Sequence, residues 1–119
     1  MKKFIFGFLL SAIATIAAAQ NSIPAKEAGK HIGEKVIICD KVYGGKYFSG
    51  SEITLLDVGG NHPDEVLTLV IKGDDRKKFQ HAPEDYFKDK TICVTGEIVD
   101  YKGRPEIMII DVAQIKVTN

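Results

Sequence analysis

Two stretches decide how this chain folds: GEKVIICDKV (33–42) and DKTICVTGEIV (89–99). Each opens on a charged turn, runs into an apolar strand with a central cysteine, and leaves through charged residues or glycine. Alternation along the first places Val36, Ile38 and Val42 inward and Ile37, Cys39 and Lys41 outward. Along the second, Ile92, Val94, Gly96 and Ile98 face inward, and Cys93, Thr95 and Glu97 face outward. Both cysteines therefore fall on the outer side. If the two strands pair antiparallel, a bridge between directly opposite positions joins Cys39 to Cys93; two free outer thiols are the rival arrangement. No CxxC spacing supports a redox pair.

The remaining elements are short and spaced for a barrel. IPAKEAGKHI (23–32) predicts a helix, capped by Ser22, with Pro24 in its first turn and Ala25, Ala28 and Ile32 on its apolar stripe. The first strand spans about 35–42 and ends in the glycine-rich loop YGGKYFSGS (43–51). A second strand at 52–58 stops at Gly59-Gly60-Asn61, and a third covers 66–72. The ITLLDV face is ambiguous, since a bulge would swap the buried leucine. A helical segment at 75–79 and a turn from Pro83 follow, with Phe79, Tyr86 and Phe87 plugging one barrel end. The fourth strand, the turn 100–105, a fifth strand at 106–110 and an extended piece at 113–117 complete the chain. The expected fold is all-β with short helices: a five-stranded Greek-key barrel, with an N-terminal helix and a helix between strands three and four.

Composition sets the address. Lys2 and Lys3, an apolar run over 4–16 and Ala17-Ala18-Ala19 before Gln20 have the layout of a cleaved secretory signal peptide over 1–19. A membrane anchor needs about 20 apolar residues, and this run is shorter, with no charged flank after it. The domain then spans 20–119, and a periplasmic or secreted location is expected. An oxidising compartment favours the Cys39–Cys93 bridge. Of 16 basic residues, Lys2 and Lys3 fall in the leader, leaving 14 against 16 acidic, a formal charge of −2. That excludes a globally basic duplex-binding protein, so any nucleic-acid contact rests on a local patch.

Taken together, the lead-in EAGKHIGEKVIICDKV (27–42), the turn TLLDVGG (54–60), LTLVIKGDDRKKF (67–79) and KTICVTGEIVDYKGRPEIMI (90–109) closing on AQIKV (113–117) resemble the oligonucleotide/oligosaccharide-binding (OB) fold. More narrowly, they look like the small exported OB-fold proteins of bacteria. The final YKGRPEI turn and apolar strand resemble the last hairpin of anticodon-binding OB domains, and the layout is similar to the periplasmic bacterial OB-fold family. The resemblance implies a ligand face on strands two and three, flanked by the loops joining strands one–two and four–five.

Both loops interleave aromatic and basic residues. Tyr47, Phe48 and Tyr101 are candidates for stacking on bases, and Lys46, Lys72, Lys102 and Arg104 for phosphates, with Thr68 adding a polar contact. The same residues also read as rim packing and solvated turn residues. The run 74–78 reads as a solvated helix face. His31, His62 and His81 are scattered, no metal-ligand spacing is present, and His62-Pro63-Asp64 reads as a turn. Asp74-Asp75 lacks a calcium loop. No nucleophile motif appears, and the metal-centred Arg/Asp/Glu cluster of secreted OB-barrel nucleases does not map onto the chain. The expectation is a non-catalytic binding protein without cofactor, taking single-stranded nucleic acid or another anionic oligomer. The alternative is a periplasmic protein-interaction or envelope-stress module with a protein or small-molecule ligand.

Overall fold

The structure is a computed structural model that describes residues 21–118. The signal-peptide expectation for 1–19 lies outside the described residues. Six strands form the sheet: β1 (Lys35–Phe48), β2 (Ile53–Val58), β3 (Leu67–Ile71), β4 (Thr91–Tyr101), β5 (Arg104–Met108) and β6 (Ile115–Val117). They run in the order β1-β2-β3-β5-β4-β6, and β1 also pairs with β4. The first five strands thus close into a ring, the expected barrel, and β6 lies outside it on β4. Only the β3–β5 contact is parallel among these ladders.

The ring closes because β1 is longer than its apolar pattern suggests. Its first half pairs with β4 from Lys35↔Glu97 to Lys41↔Thr91, and its second half pairs with β2 from Val42↔Val58 to Phe48↔Ile53. A register shift between Val42 and Gly44 separates the halves. The expected loop over 43–51 is therefore strand as far as Phe48. Two glycines read as a turn, but in a strand they mark a bend at a barrel corner. A Cβ on Gly45 would stand 2.5 Å from the Leu55 carbonyl oxygen and 2.9 Å from Leu56 Cδ2, so β1 passes β2 at a distance only glycine allows.

Alternating inward residues build one core. Ile38, Val42, Leu56, Val58, Leu69, Ile71, Ile92, Val94, Ile98 and Ile107 are fully buried. In β2 the inward set is Thr54, Leu56 and Val58, which resolves the ambiguous face. One barrel end is covered by a 3₁₀ helix, Ala25–Lys30, shorter and tighter than the expected helix. Ala25 and Ala28 enter the core while Ile32 stays exposed. Ser22 does not cap it; the Ala25 N–H donates to Asp40 Oδ2 on β1 at 2.9 Å. At the other end lie α1 (Gly73–Arg76) and α2 (Pro83–Tyr86). Phe87 is buried edge-on against Phe79, with ring centroids 6.0 Å apart. Tyr86, expected in this plug, lies on its rim and stacks on His81.

Cys39 and Cys93 are register partners and form a disulfide, with Cα atoms 4.0 Å apart. The Cys39 N–H turns away from β4, donating to the Ile23 carbonyl. The two cysteines are thus a non-hydrogen-bonded pair, the closer of the two antiparallel spacings.

Candidate functional site

The outward residues of β1, β2, β3, β5 and β4 form a continuous face whose composition follows from register. One row reads Gly44, Asp57, Thr68, Glu106 and Val99. The next reads Lys46, Leu55, Val70 and Met108. Beyond it come Phe48 and Ile53, with Lys72 directly after β3. In the opposite direction the face ends at Tyr101 and Arg104, paired across the β4–β5 hairpin. Lys102 (φ 53°) and Gly103 (φ 84°) form its two-residue turn, the positive-φ geometry that matches strand twist.

Of the residues expected from the sequence, Lys46, Phe48, Thr68, Lys72, Tyr101, Lys102 and Arg104 share this face or its rim. Phe48 is 40% and Tyr101 53% exposed. Each carries a lysine ammonium over its ring: Lys46 at 5.0 Å from the Phe48 centroid, and Lys102 at 5.3 Å from that of Tyr101. Thr68 is nearly buried between Asp57 and Glu106. Tyr47 is not on the face. Successive strand residues point to opposite sides, so Tyr47 turns toward Thr54 and lies under the Arg76 guanidinium, 3.9 Å from its ring centroid. Tyr47, expected with Phe48 and Tyr101 to stack on bases, thus stands on the opposite side of β1 from Phe48.

The two aromatic–lysine pairs stand at opposite corners. Four strand spacings of about 4.8 Å separate β1 from β4 across the sheet, and the pairs also lie at opposite ends of the rows. A ligand touching both runs diagonally from Phe48 over Leu55, between Val70 and Thr68, and over Glu106 to Tyr101.

Sequence reading missed the carboxylates under this path. Burial pushes the Asp57 carboxyl above its ordinary value, reinforced by Glu65; His62 and Arg104 pull the other way. Burial likewise pushes Glu106 up, opposed by Arg104. Arg104 is not a free cation, because its Nη2 donates to Glu65 Oε2. His62 Nδ1 lies 3.2 Å from the same oxygen. The sequence signal for Asp57 was its place two residues after Leu55; Glu65 and His62 gave none, since the turn after β2 is what returns them to Asp57.

No protein-family model and no curated protein matches the chain. Solved structures do. The asparaginyl-tRNA synthetase from Pyrococcus horikoshii is similar at TM-score 0.55 and 14% identity, over 85% of this chain and 24% of the synthetase. The aspartyl-tRNA synthetase from Entamoeba histolytica is similar at 0.56 and 9%, over 98% of this chain and 28% of that one. The fold is an OB barrel. This chain spans about a quarter of the synthetases' length, whereas the OBody AM1L10, in its complex with hen egg-white lysozyme, is matched over 98% of its length (TM-score 0.61, 11% identity, 89% of this chain).

Proposed function

We propose that this protein is an exported, non-catalytic binding module that takes single-stranded nucleic acid diagonally across the outer face of its barrel. The observation that carries this reading is the pair of exposed rings, Phe48 and Tyr101, each beside a lysine, at two opposite corners of the face. Stacking a base on such a ring contributes about 1–3 kcal/mol. Lys46, Lys72 and Lys102 supply phosphate contacts. The synthetases that share the fold have tRNA in their names. Export is supported by the leader-like start and by the disulfide, which persists in oxidising compartments.

Titration into labelled single-stranded DNA and RNA tests the reading. Affinity is expected to fall with salt and to drop roughly 5- to 150-fold in Phe48→Ala and in Tyr101→Ala. Tyr47→Ala lies off the face and should leave the affinity of the folded protein unchanged. No binding at low salt, where phosphate attraction is strongest, retires the proposal.

Glu106 gives the interaction a pH dependence. An anionic ligand drawn over it favours the protonated carboxyl, so binding takes up a proton and affinity rises as pH falls through the raised Glu106 value. Glu106→Gln should bind more tightly at neutral pH and show a flatter profile between pH 7 and 5. A profile unchanged by that substitution takes Glu106 off the ligand path.

A second reading, a protein ligand, draws on Asp57 and Glu106 in the middle of the face, which suit a basic segment better than phosphate. The OBody bound to lysozyme has the same fold. Under this reading Asp57→Asn weakens binding to basic peptides, and Lys46→Ala leaves it unchanged.

A further inference from the structure

Asp57, His62 and Glu65 bring one nitrogen and two carboxylates together, with their candidate ligand atoms all within 4.8 Å of one another. Asp57 projects from β2, and the turn returning to β3 carries the other two. Glu65 stands apart from an ordinary surface acid. Its side chain is only 5% exposed. Its Oε2 is engaged by Arg104 and His62, and its Oε1 is buried with no hydrogen-bond partner. A buried carboxylate oxygen without a partner is costly. His62 does not remedy it, because its imidazole is directed at Oε2.

We propose that Asp57, His62 and Glu65 form a binding site for a divalent transition-metal ion of the Zn²⁺ type. The donor set admits it: imidazole nitrogen and carboxylate oxygen are both zinc ligands, and three protein ligands leave a further position for water. Glu65 ligates through Oε1, while Arg104 keeps Oε2 and orients the carboxylate as an outer-sphere partner. Ligand atoms around a tetrahedral zinc stand about 3.3 Å apart, so the trio closes slightly on binding. His62, 69% exposed, is free to make most of that movement. The cysteines do not compete, being joined to each other. Next to the site lies an open polar depression of about 680 Å³, lined by Asp57 and His62 together with Glu84, Asp85, Lys88 and Asp89. It leaves the metal's remaining positions open to water. This site stands independently of the nucleic-acid reading.

Calorimetric titration of the chelator-treated protein with ZnCl₂ tests the assignment. One equivalent is expected to bind with micromolar affinity, and Co²⁺ substitution should give a visible absorption band of nitrogen–oxygen ligation. His62→Ala, an exposed position whose loss leaves the core untouched, should weaken binding at least tenfold, as should Asp57→Asn. His31→Ala removes the other histidine–glutamate pair, His31–Glu34, and should change nothing. Circular dichroism and melting of each variant separate lost ligation from lost fold. Absence of saturable binding at millimolar Zn²⁺ overturns the proposal. So does stoichiometric binding that survives both His62→Ala and Asp57→Asn.

Discussion

Replacing Cys39 and Cys93 together by serine is expected to cost about 4 kcal/mol of stability, the largest effect of any change considered. The bridge closes a loop of 54 residues in sequence separation, and the chain-entropy relation assigns about 4 kcal/mol to a loop of that size. The placement adds to the consequence. Cys39 and Cys93 lie on the β1–β4 seam, the contact that turns an open sheet into a ring. Inward neighbours on the same seam, Ile38 and Val94, are core residues. The substitution changes side chains only and leaves the backbone bonds of the seam in place. The cost therefore falls on the reference state, a less constrained unfolded chain. For a domain of about 100 residues it corresponds to a fall in Tm on the order of 15–30 °C. Melting curves of the oxidised protein and of Cys39→Ser/Cys93→Ser measure it, and thiol titration in denaturant without reductant should find no free thiol. A fall of only a few degrees would mean that packing across the seam, not the covalent link, holds the ring.

The seam was legible because strand periodicity and cysteine placement speak the same local language. A period of two fixes which residues of 33–42 and 89–99 face the core, and the cysteines then share a side. Gly44-Gly45 was not legible in that way. Turns and tight strand bends both select glycine, and only the approach of the Leu55 carbonyl shows which is meant. That ambiguity moved Tyr47 and Phe48 from an imagined loop onto a strand, and strand alternation then parted them. The Tyr101–Arg104 hairpin was legible, because a two-residue turn with glycine is a local signal. Asp57, His62 and Glu65 are brought together by the path of a turn, which leaves no periodic trace. Arg76 is the sharpest case. In a charged run on a single helical turn it reads as solvated, and nothing local points to its partners on β2 and α2.

Those partners make Arg76 the clasp of the helical end of the barrel, and its loss is the second large effect expected. Its Nη1 donates to Thr54 Oγ1 and to Glu84 Oε1, both at 2.6 Å, and its Nη2 donates to Glu84 Oε2 at 3.2 Å. The guanidinium also covers the Tyr47 ring. One side chain thus ties α1 to α2, to β2 and to β1. Thr54 is fully buried, so Arg76→Met strands a buried hydroxyl as well as a half-buried carboxylate, and a loss of up to about 3 kcal/mol is expected. Arg76→Lys should recover little of it, since an ammonium cannot reproduce the two-pronged contact with Glu84. Glu84→Gln keeps the Thr54 and Tyr47 contacts and should cost less than Arg76→Met. Hydrogen bonding from Arg76 holds the Glu84 carboxyl below its ordinary value. A lowered carboxylate contributes stability that is fully present above the unfolded-chain value, about 4.3, and is lost as pH falls through the native one. The gap in unfolding free energy between the native protein and Arg76→Met should therefore be widest at neutral pH and narrow on acidification. Urea unfolding of the two proteins from pH 7 down to pH 3 reads this directly. A gap that stays constant across that range would place the cost in the Thr54 and Tyr47 contacts rather than in the ion pair; a gap below about 0.5 kcal/mol at every pH would reduce the clasp to an ordinary surface pair.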